Sequence, residues 1–460
     1  MDEQTIAWCK RLIGCRSVTG EGTRTIAELA TRELLIPHGI EPRLIPSARE
    51  GAEQVNLVAM VKGHDSGRAP LVLNTHLDTV PPGDQHLWTE CGGDPFAATI
   101  AGGRIYGLGA ADTKLDFIAK ATALIAERTP RRDVWLVATF GEEHGLVGAR
   151  ELAASGILPR GALAFVGEPS RLEVITAHKG LMVFALRVGF TRALEAVEPA
   201  ACRRLICAGR AAHSSTPALG RNAILLALET LGAQPAIGVV GIRGGDAVNK
   251  VPATCEMVVA GSDGLPAAAA PLDDASVVSA GLIPRAALTA LTQFVVALQD
   301  FADRAGTEEP GYAPPTLTCN PGRIISSDDA LVLDFELRPP PGLALDVVRE
   351  GVGAIAARVA RDAGAVAIEL DERRANPGFR SALDRETLEV AIGALARAGL
   401  PLHTGVKAGC TEAGVYAAAG LEPVVFGPGP STGVIHAPNE YNLLEEVEAA
   451  IRLYREVLRS

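Results

Sequence analysis

Short, nearly continuous apolar runs recur through the first part of the chain: VNLVAMV (55–61), PLVLNTH (70–76), VWLVATF (134–140) and ALAFVGE (162–168). Runs this short and this free of polar alternation suit strands covered on both faces, as in a helix–sheet–helix sandwich. Between them, stretches around 24–36, 115–128 and 146–155 read as helices. The alternation predicts an α/β domain. It also puts polar residues just past the carboxyl ends of the strands, where open α/β sheets bind ligands.

The pattern changes at His178-Lys179-Gly180. LMVFALRVGF reads as a strand opening a different layer, AAHSSTPALGRNAILLALETLG as a loop entering a helix, and NKVPATCEMVVAG as another strand. A helix over 285–304, the strand ALVLDFELRPPPG, a helix over 345–363 and the strand AVAIEL follow. Such units fit a second, α+β domain over 179–373. The Ala/Pro-rich stretch 262–275 reads as a flexible loop. Alternation then resumes with a helix over 382–398, the strand EPVVFGPG and a final helix over 443–458. The expected architecture is therefore α/β: a mixed-sheet helix–sheet–helix domain built from 1–178 and 374–460, interrupted by an α+β insertion.

Composition narrows the function. At 460 residues the chain is long enough for two or three domains. A formal net charge of −11 argues against a nucleic-acid partner, which needs a basic surface. No uncharged apolar run reaches the roughly 20 residues a membrane span requires. MDEQTIAWCKRLIG reads as an amphipathic first helix rather than a signal peptide. The eight cysteines show no C-x-x-C pair and read as reduced, mostly buried thiols. The expectation is a cytoplasmic enzyme.

Five residues carry the chemistry: His76 in LVLNTHLD, Asp112 in GLGAADTK, Glu143 in FGEEHG, Glu168 in AFVGEPS and His436 in GVIHAPNE. Two imidazoles and three carboxylates suit a pair of zinc-class ions bridged by one carboxylate. Asp78, two residues after His76, leaves the strand on the same side and can orient or tune it. A polar strand end without metal is the alternative. Asp112 follows a glycine-rich turn and could offer one oxygen to each ion, or simply cap the helix that begins near 114. Glu142-Glu143 ends a buried strand, a costly place for two carboxylates unless something positive balances them. If Glu143 is a ligand, Glu142 is placed as a general base; otherwise the pair is an exposed acidic turn. Glu168 precedes a proline that keeps its backbone out of the helical region. His436 lies in a turn-rich loop and could equally be a surface histidine.

Taken in order, THLDTVPPGD, GRIYGLGAADTK, TFGEEHG, VGEPS and IHAPNEY resemble the metal boxes of the zinc metallopeptidase family that includes acetylornithine deacetylase, succinyl-diaminopimelate desuccinylase, aminoacylase and glutamate carboxypeptidase. The similarity extends over essentially the whole chain. It implies two divalent ions per chain, zinc by expectation with cobalt or manganese as alternatives. One is held by His76, Asp112 and Glu168, the other by Asp112, Glu143 and His436. It further implies Glu142 as general base, Asp78 behind the ligands, and a non-proline cis peptide at Asp112-Thr113. The insertion would be the family's lid or dimerisation domain, making a homodimer the expected assembly. His213 in AAHSSTP would stabilise the oxyanion, and Asn249 and Arg338 would bind the substrate carboxylate.

Three features depart from the family pattern. Leu115-Asp116 stands where many relatives have glycines, the interval between NKVP and DFELR is long, and Glu412 replaces a frequent aspartate. The implied reaction is hydrolysis of the amide of an N-acyl amino acid, with a metallo-dipeptidase or carboxypeptidase as the alternative. An inactive scaffolding relative is disfavoured because all five ligands and the base are present. A cysteine nucleophile is disfavoured because Cys410 lacks a histidine box.

Overall fold

The computed structural model describes every residue except 52, 193–196, 198–201, 235, 261–268, 272–280, 307, 365 and 383. The chain forms two compact units, Met1–His178 with Phe379–Ser460, and Lys179–Gly378.

The first unit is built on a nine-stranded mixed sheet. Across it the strands run Pro42–Pro46, Val55–Val61, Val134–Thr139, Leu71–His76, Leu163–Gly167, Glu422–Phe426, Val174–His178 and Phe379–Arg380, with Thr404–Lys407 also pairing on Val174–His178. Leu71–His76 lies parallel to both of its neighbours, and Glu422–Phe426 is parallel to Leu163–Gly167. Every residue of Leu71–His76 and of Leu163–Gly167 is buried. Their unbroken apolar runs thus have a physical cause, since alternate side chains enter two different cores. Leu71, Leu73 and Phe165 pack with the helices Lys114–Ala126 and Leu444–Leu458, while Val72, Ala164 and Val166 pack on the other side with Val147–Ser155 and Ala413–Ala418.

The helical stretch around 24–36 is an α-helix, Arg24–Leu29, that passes into a π-helical turn, Ala30–Leu35, and a short 3-10 turn, Ile36–His38. Pro37, which has no N–H to donate, lies in the 3-10 turn that ends this helical stretch. The helix foreseen over 382–398 begins at Glu386.

The second unit holds an eight-stranded antiparallel sheet in the order Ala270–Pro271, Cys202–Ala208, Thr254–Ala260, Gly238–Gly244, Thr318–Ser326, Ala330–Arg338, Leu181–Gly189 and Ala367–Asn376. Helices Ala223–Ala233, Arg285–Arg304 and Leu345–Asp362 cover its apolar core. The last strand continues to Asn376 in register with Leu181, so this unit runs beyond residue 373 and ends at Gly378. The long interval after NKVP is largely structural, containing the helix Arg285–Arg304 and the sheet strand Thr318–Ser326. Of the stretch 262–275, all but 269–271 lies outside the described residues. None of the eight cysteines is in a disulfide. Among the described residues, no helix is long and apolar enough to cross a membrane.

Candidate metal centre

Strand ends and the turns after them converge in the first unit. His76 is the last residue of its strand, Glu168 immediately follows Leu163–Gly167, and Glu142-Glu143 follow Val134–Thr139 by a turn through Gly141 at φ +64°. Asp112 sits in the turn before the helix Lys114–Ala126, and the peptide bond after it is cis. The N-cap position of that helix belongs to Thr113, which makes no capping bond with its side chain. Asp112 therefore faces the histidines instead of capping the helix.

Two triads form, His76–Asp112–Glu168 and Asp112–Glu143–His436, with the donor atoms of each within 4.8 Å of one another. Asp112 belongs to both. Its Oδ1 lies 3.0 Å from His76 Nε2 and its Oδ2 lies 3.3 Å from His436 Nε2, so each oxygen turns to a different triad. His436 Nε2 is also 3.0 Å from Glu143 Oε1. His436 is the most exposed member, and its φ of +56° is unusual for a residue with a side chain.

The donor set fits a pair of divalent ions. His76 Nδ1 donates to the main-chain oxygen of Asp78 at 3.0 Å, which directs the Nε2 lone pair into the site. Burial is the largest single influence on His76 and lowers its basicity, yet Asp112, Asp78 and Glu142 together outweigh it and hold the imidazole well above its ordinary pKa. His436 is raised in the same way, burial again being overcome by Asp112 and Glu143. Both shifts come from a surplus of carboxylate charge around the imidazoles, the kind a divalent cation would satisfy. Burial first, and then the Glu168 charge, push the Glu142 carboxyl well above the usual carboxylate range.

The Asp78 carboxylate takes a different part from the one its spacing suggests. Its Oδ1 is 3.7 Å from His76 Nδ1, too far for a hydrogen bond. Instead it accepts from the backbone N–H groups of Glu142 at 3.1 Å and Glu143 at 3.3 Å, and from Thr19 Oγ1 at 2.8 Å. His76 is oriented by the main chain of Asp78, and the Glu142-Glu143 turn by its side chain.

Several contributors escape a reading of spacing. Glu440 accepts from the N–H groups of Ala111 and Asp112 at 2.8 and 3.0 Å, fixing the aspartate turn. It lies in the same box as His436, the one signal that could have exposed it. Lys407 Nζ is 2.5 Å from Glu168 Oε2. Behind the site, Lys120 is fully buried and bonded to Asp116 Oδ2 at 2.7 Å, to the carbonyls of Asn74 and Phe165 at 2.5 and 3.1 Å, and to Thr75 Oγ1 at 3.1 Å. Asp116 in turn accepts from Thr75 Oγ1 and Tyr454 OH. A side chain at Gly167 would come within 2.0 Å of Asp116 Oδ2, so the glycine makes room for this aspartate. Glu412 is buried against Asn74 Nδ2 at 2.5 Å and Thr139 Oγ1 at 2.9 Å, and burial pushes its carboxyl up to about 7.

In the second unit His213, Asn249 and Arg338 gather around Ser214. Ser214 N donates to the Asn249 carbonyl at 3.1 Å, and Arg338 Nη2 is 3.5 Å from Ser214 Oγ. His213 Nδ1 accepts from the Ser215 N–H, which makes Nε2 the protonated nitrogen of the neutral ring. Arg338 is buried and paired with Glu336 at 2.8 Å.

A mixed sheet whose strand ends collect two histidines and three carboxylates around a shared aspartate has the make-up of a dinuclear metal hydrolase. Residues 72–460 match the model of peptidase family M20/M25/M40, and the chain belongs to this family of metal-dependent hydrolases. The acetylornithine deacetylase of Klebsiella pneumoniae (strain 342) is 33% identical over 240 residues, covering 47% of this chain and 55% of the relative. That of Photorhabdus laumondii subsp. laumondii is 35% identical over 215 residues, covering 42% and 50%. The chain thus spans about half the length of the curated relatives it matches. The crystal structure of aminoacylhistidine dipeptidase from Vibrio alginolyticus shares the fold, with a TM-score of 0.70 at 17% identity over 99% of this chain and 96% of that one.

Proposed function

We propose that this protein hydrolyses the amide bond of an N-acyl amino acid at a dinuclear centre held by His76, Asp112, Glu143, Glu168 and His436. The observation that carries the reading is the sharing of Asp112 between two triads beside the buried Glu142. Zinc is the proposed ion, with cobalt or manganese as substitutes. When bound, the ions supply Lewis acidity towards the substrate carbonyl and the attacking water. Glu142 takes the proton of that water and returns it to the departing amine. Asp78 holds the Glu142 main chain in place for this transfer.

For the second unit we propose the roles implied by the family resemblance. His213 stabilises the oxyanion by donation from Nε2, reaching a neighbouring subunit of a homodimer formed through this unit, and Asn249 and Arg338 bind the substrate carboxylate. The identity with acetylornithine deacetylases supports acyl amino acids over peptides, and the proposed setting is the cytoplasm.

Metal-stripped protein restored with zinc, cobalt or manganese and offered N-acetyl amino acids, N-succinyl amino acids and dipeptides tests the proposal. Metal-dependent release of acetate or succinate is expected. Cleavage of dipeptides alone would replace deacylase with dipeptidase, and no turnover with no bound metal would refute the enzyme reading.

A further inference from the structure

Lys407 closes the strand Thr404–Lys407, in parallel register with His178, and its ammonium ends on a carboxylate proposed as a ligand. Nζ lies 2.5 Å from Glu168 Oε2, with side-chain exposures of 20% for the lysine and 6% for the glutamate. The charges facing it are those of Glu168, Asp112 and Glu142, all carboxylates. A surface lysine pairing with an acid would leave most of its head in water. This one is directed inward, onto one oxygen of one acid.

A carboxylate can grip an ion with one oxygen or with both. An ammonium fixed on Oε2 leaves Oε1 as the oxygen Glu168 can offer. It also brings a positive charge close to whatever cation the His76–Asp112–Glu168 triad holds, and like charges at such range in a buried site repel strongly. We propose that Lys407 is a positioning residue that restricts Glu168 to one-oxygen ligation and makes the His76 triad the weaker of the two ion sites. This rests on the dinuclear reading above. The functional gain is an ion with coordination positions left open for water and substrate, the condition that separates catalytic from structural sites.

The test is titration of metal-stripped protein with cobalt(II), read by visible absorption and by competition with a chromophoric chelator, on wild type, K407M, K407Q and K407R. Wild type should bind two ions in unequal steps. In K407M and K407Q the weaker step should tighten at least tenfold, and its visible bands should lose intensity as Glu168 closes on the ion with both oxygens. K407R, which keeps a cationic donor on Oε2, should resemble wild type. An unchanged or weakened step in both K407M and K407Q would overturn the role of Lys407 while leaving the centre itself intact. Failure of wild type to bind any cobalt would instead overturn the dinuclear reading, and this inference with it.

Discussion

Lys120 offers the sharpest test of how the site is supported. Its ammonium is fully buried and holds Asp116 together with the carbonyls of Asn74 and Phe165, one in the His76 strand and one in the strand leading to Glu168. In K120M the methionine fills the space but offers no donor. Asp116 would keep the Thr75 and Tyr454 hydroxyls at 2.7 and 2.6 Å yet lose its only cation among the bonds described. Removing one member of a buried pair costs about 3–5 kcal/mol, because the other charge is left uncompensated. Removing the charge as well, in D116N/K120M, should recover roughly half of that. The three tryptophans, Trp8, Trp88 and Trp135, all lie in the first unit. Urea denaturation followed by their fluorescence therefore reports this unit alone, and metal-stripped protein removes any contribution from bound ions. A K120M variant within about 1 kcal/mol of wild type would refute the reasoning. So would single-variant costs for D116N and K120M that add within about 0.5 kcal/mol, since contacting residues should couple.

Three further outcomes follow from the same geometry. E142Q should lower turnover by about 10²- to 10⁴-fold, the usual contribution of a positioned base, while elemental analysis finds the metal content of wild type; near-normal turnover would remove Glu142 from the mechanism. H436A should lose about one ion per chain on dialysis, because the His76 triad does not include it, and retention of both ions would argue against this partition. Glu412 has a folded pKa of about 7 against an ordinary 4.5, so its contribution to stability is fully present below 4.5 and lost as pH rises through 7. Metal-stripped wild type should thus lose roughly 3 kcal/mol across this window relative to E412Q, measured by urea denaturation at several pH values; parallel profiles would show that the carboxyl is not held protonated.

Much of the first unit was legible because its central strands are buried on both sides, which forces runs such as LVL (71–73) and LAFVG (163–167) to stay apolar until the polar residues that end them. That abrupt ending is also what exposes His76, Glu142 and Glu168 to a reader of sequence. The supports were illegible for the opposite reason. Asp116 and Lys120 are spaced like an ordinary surface pair on a helix, and only the docking of that helix against Asn74 and Phe165 buries them. Lys407 meets Glu168 across more than two hundred residues of chain, with no local pattern to announce it. Asp78 could be singled out by its distance from His76, but spacing carries no information on whether its carbonyl or its carboxylate does the orienting. The continuation of the last second-unit strand through DERRAN was hard to read because the stretch is polar and mostly exposed up to the buried Asn376, as an edge strand is.

The strand Glu422–Phe426 lies between Leu163–Gly167 and Val174–His178, both of which leave the ribosome long before it does. At about 5–20 residues per second, the edge of Leu163–Gly167 waits on the order of tens of seconds for its partner. A bare, apolar strand edge is a template for joining the wrong chain. The strands of Lys179–Gly378, by contrast, find all their partners within that unit and have no such wait. Nascent chains of this protein should therefore depend on shielding of one half-built sheet. The delay has a second side: Lys407, Glu412 and His436 all arrive with the late segment, so an unfinished chain lacks part of the proposed centre.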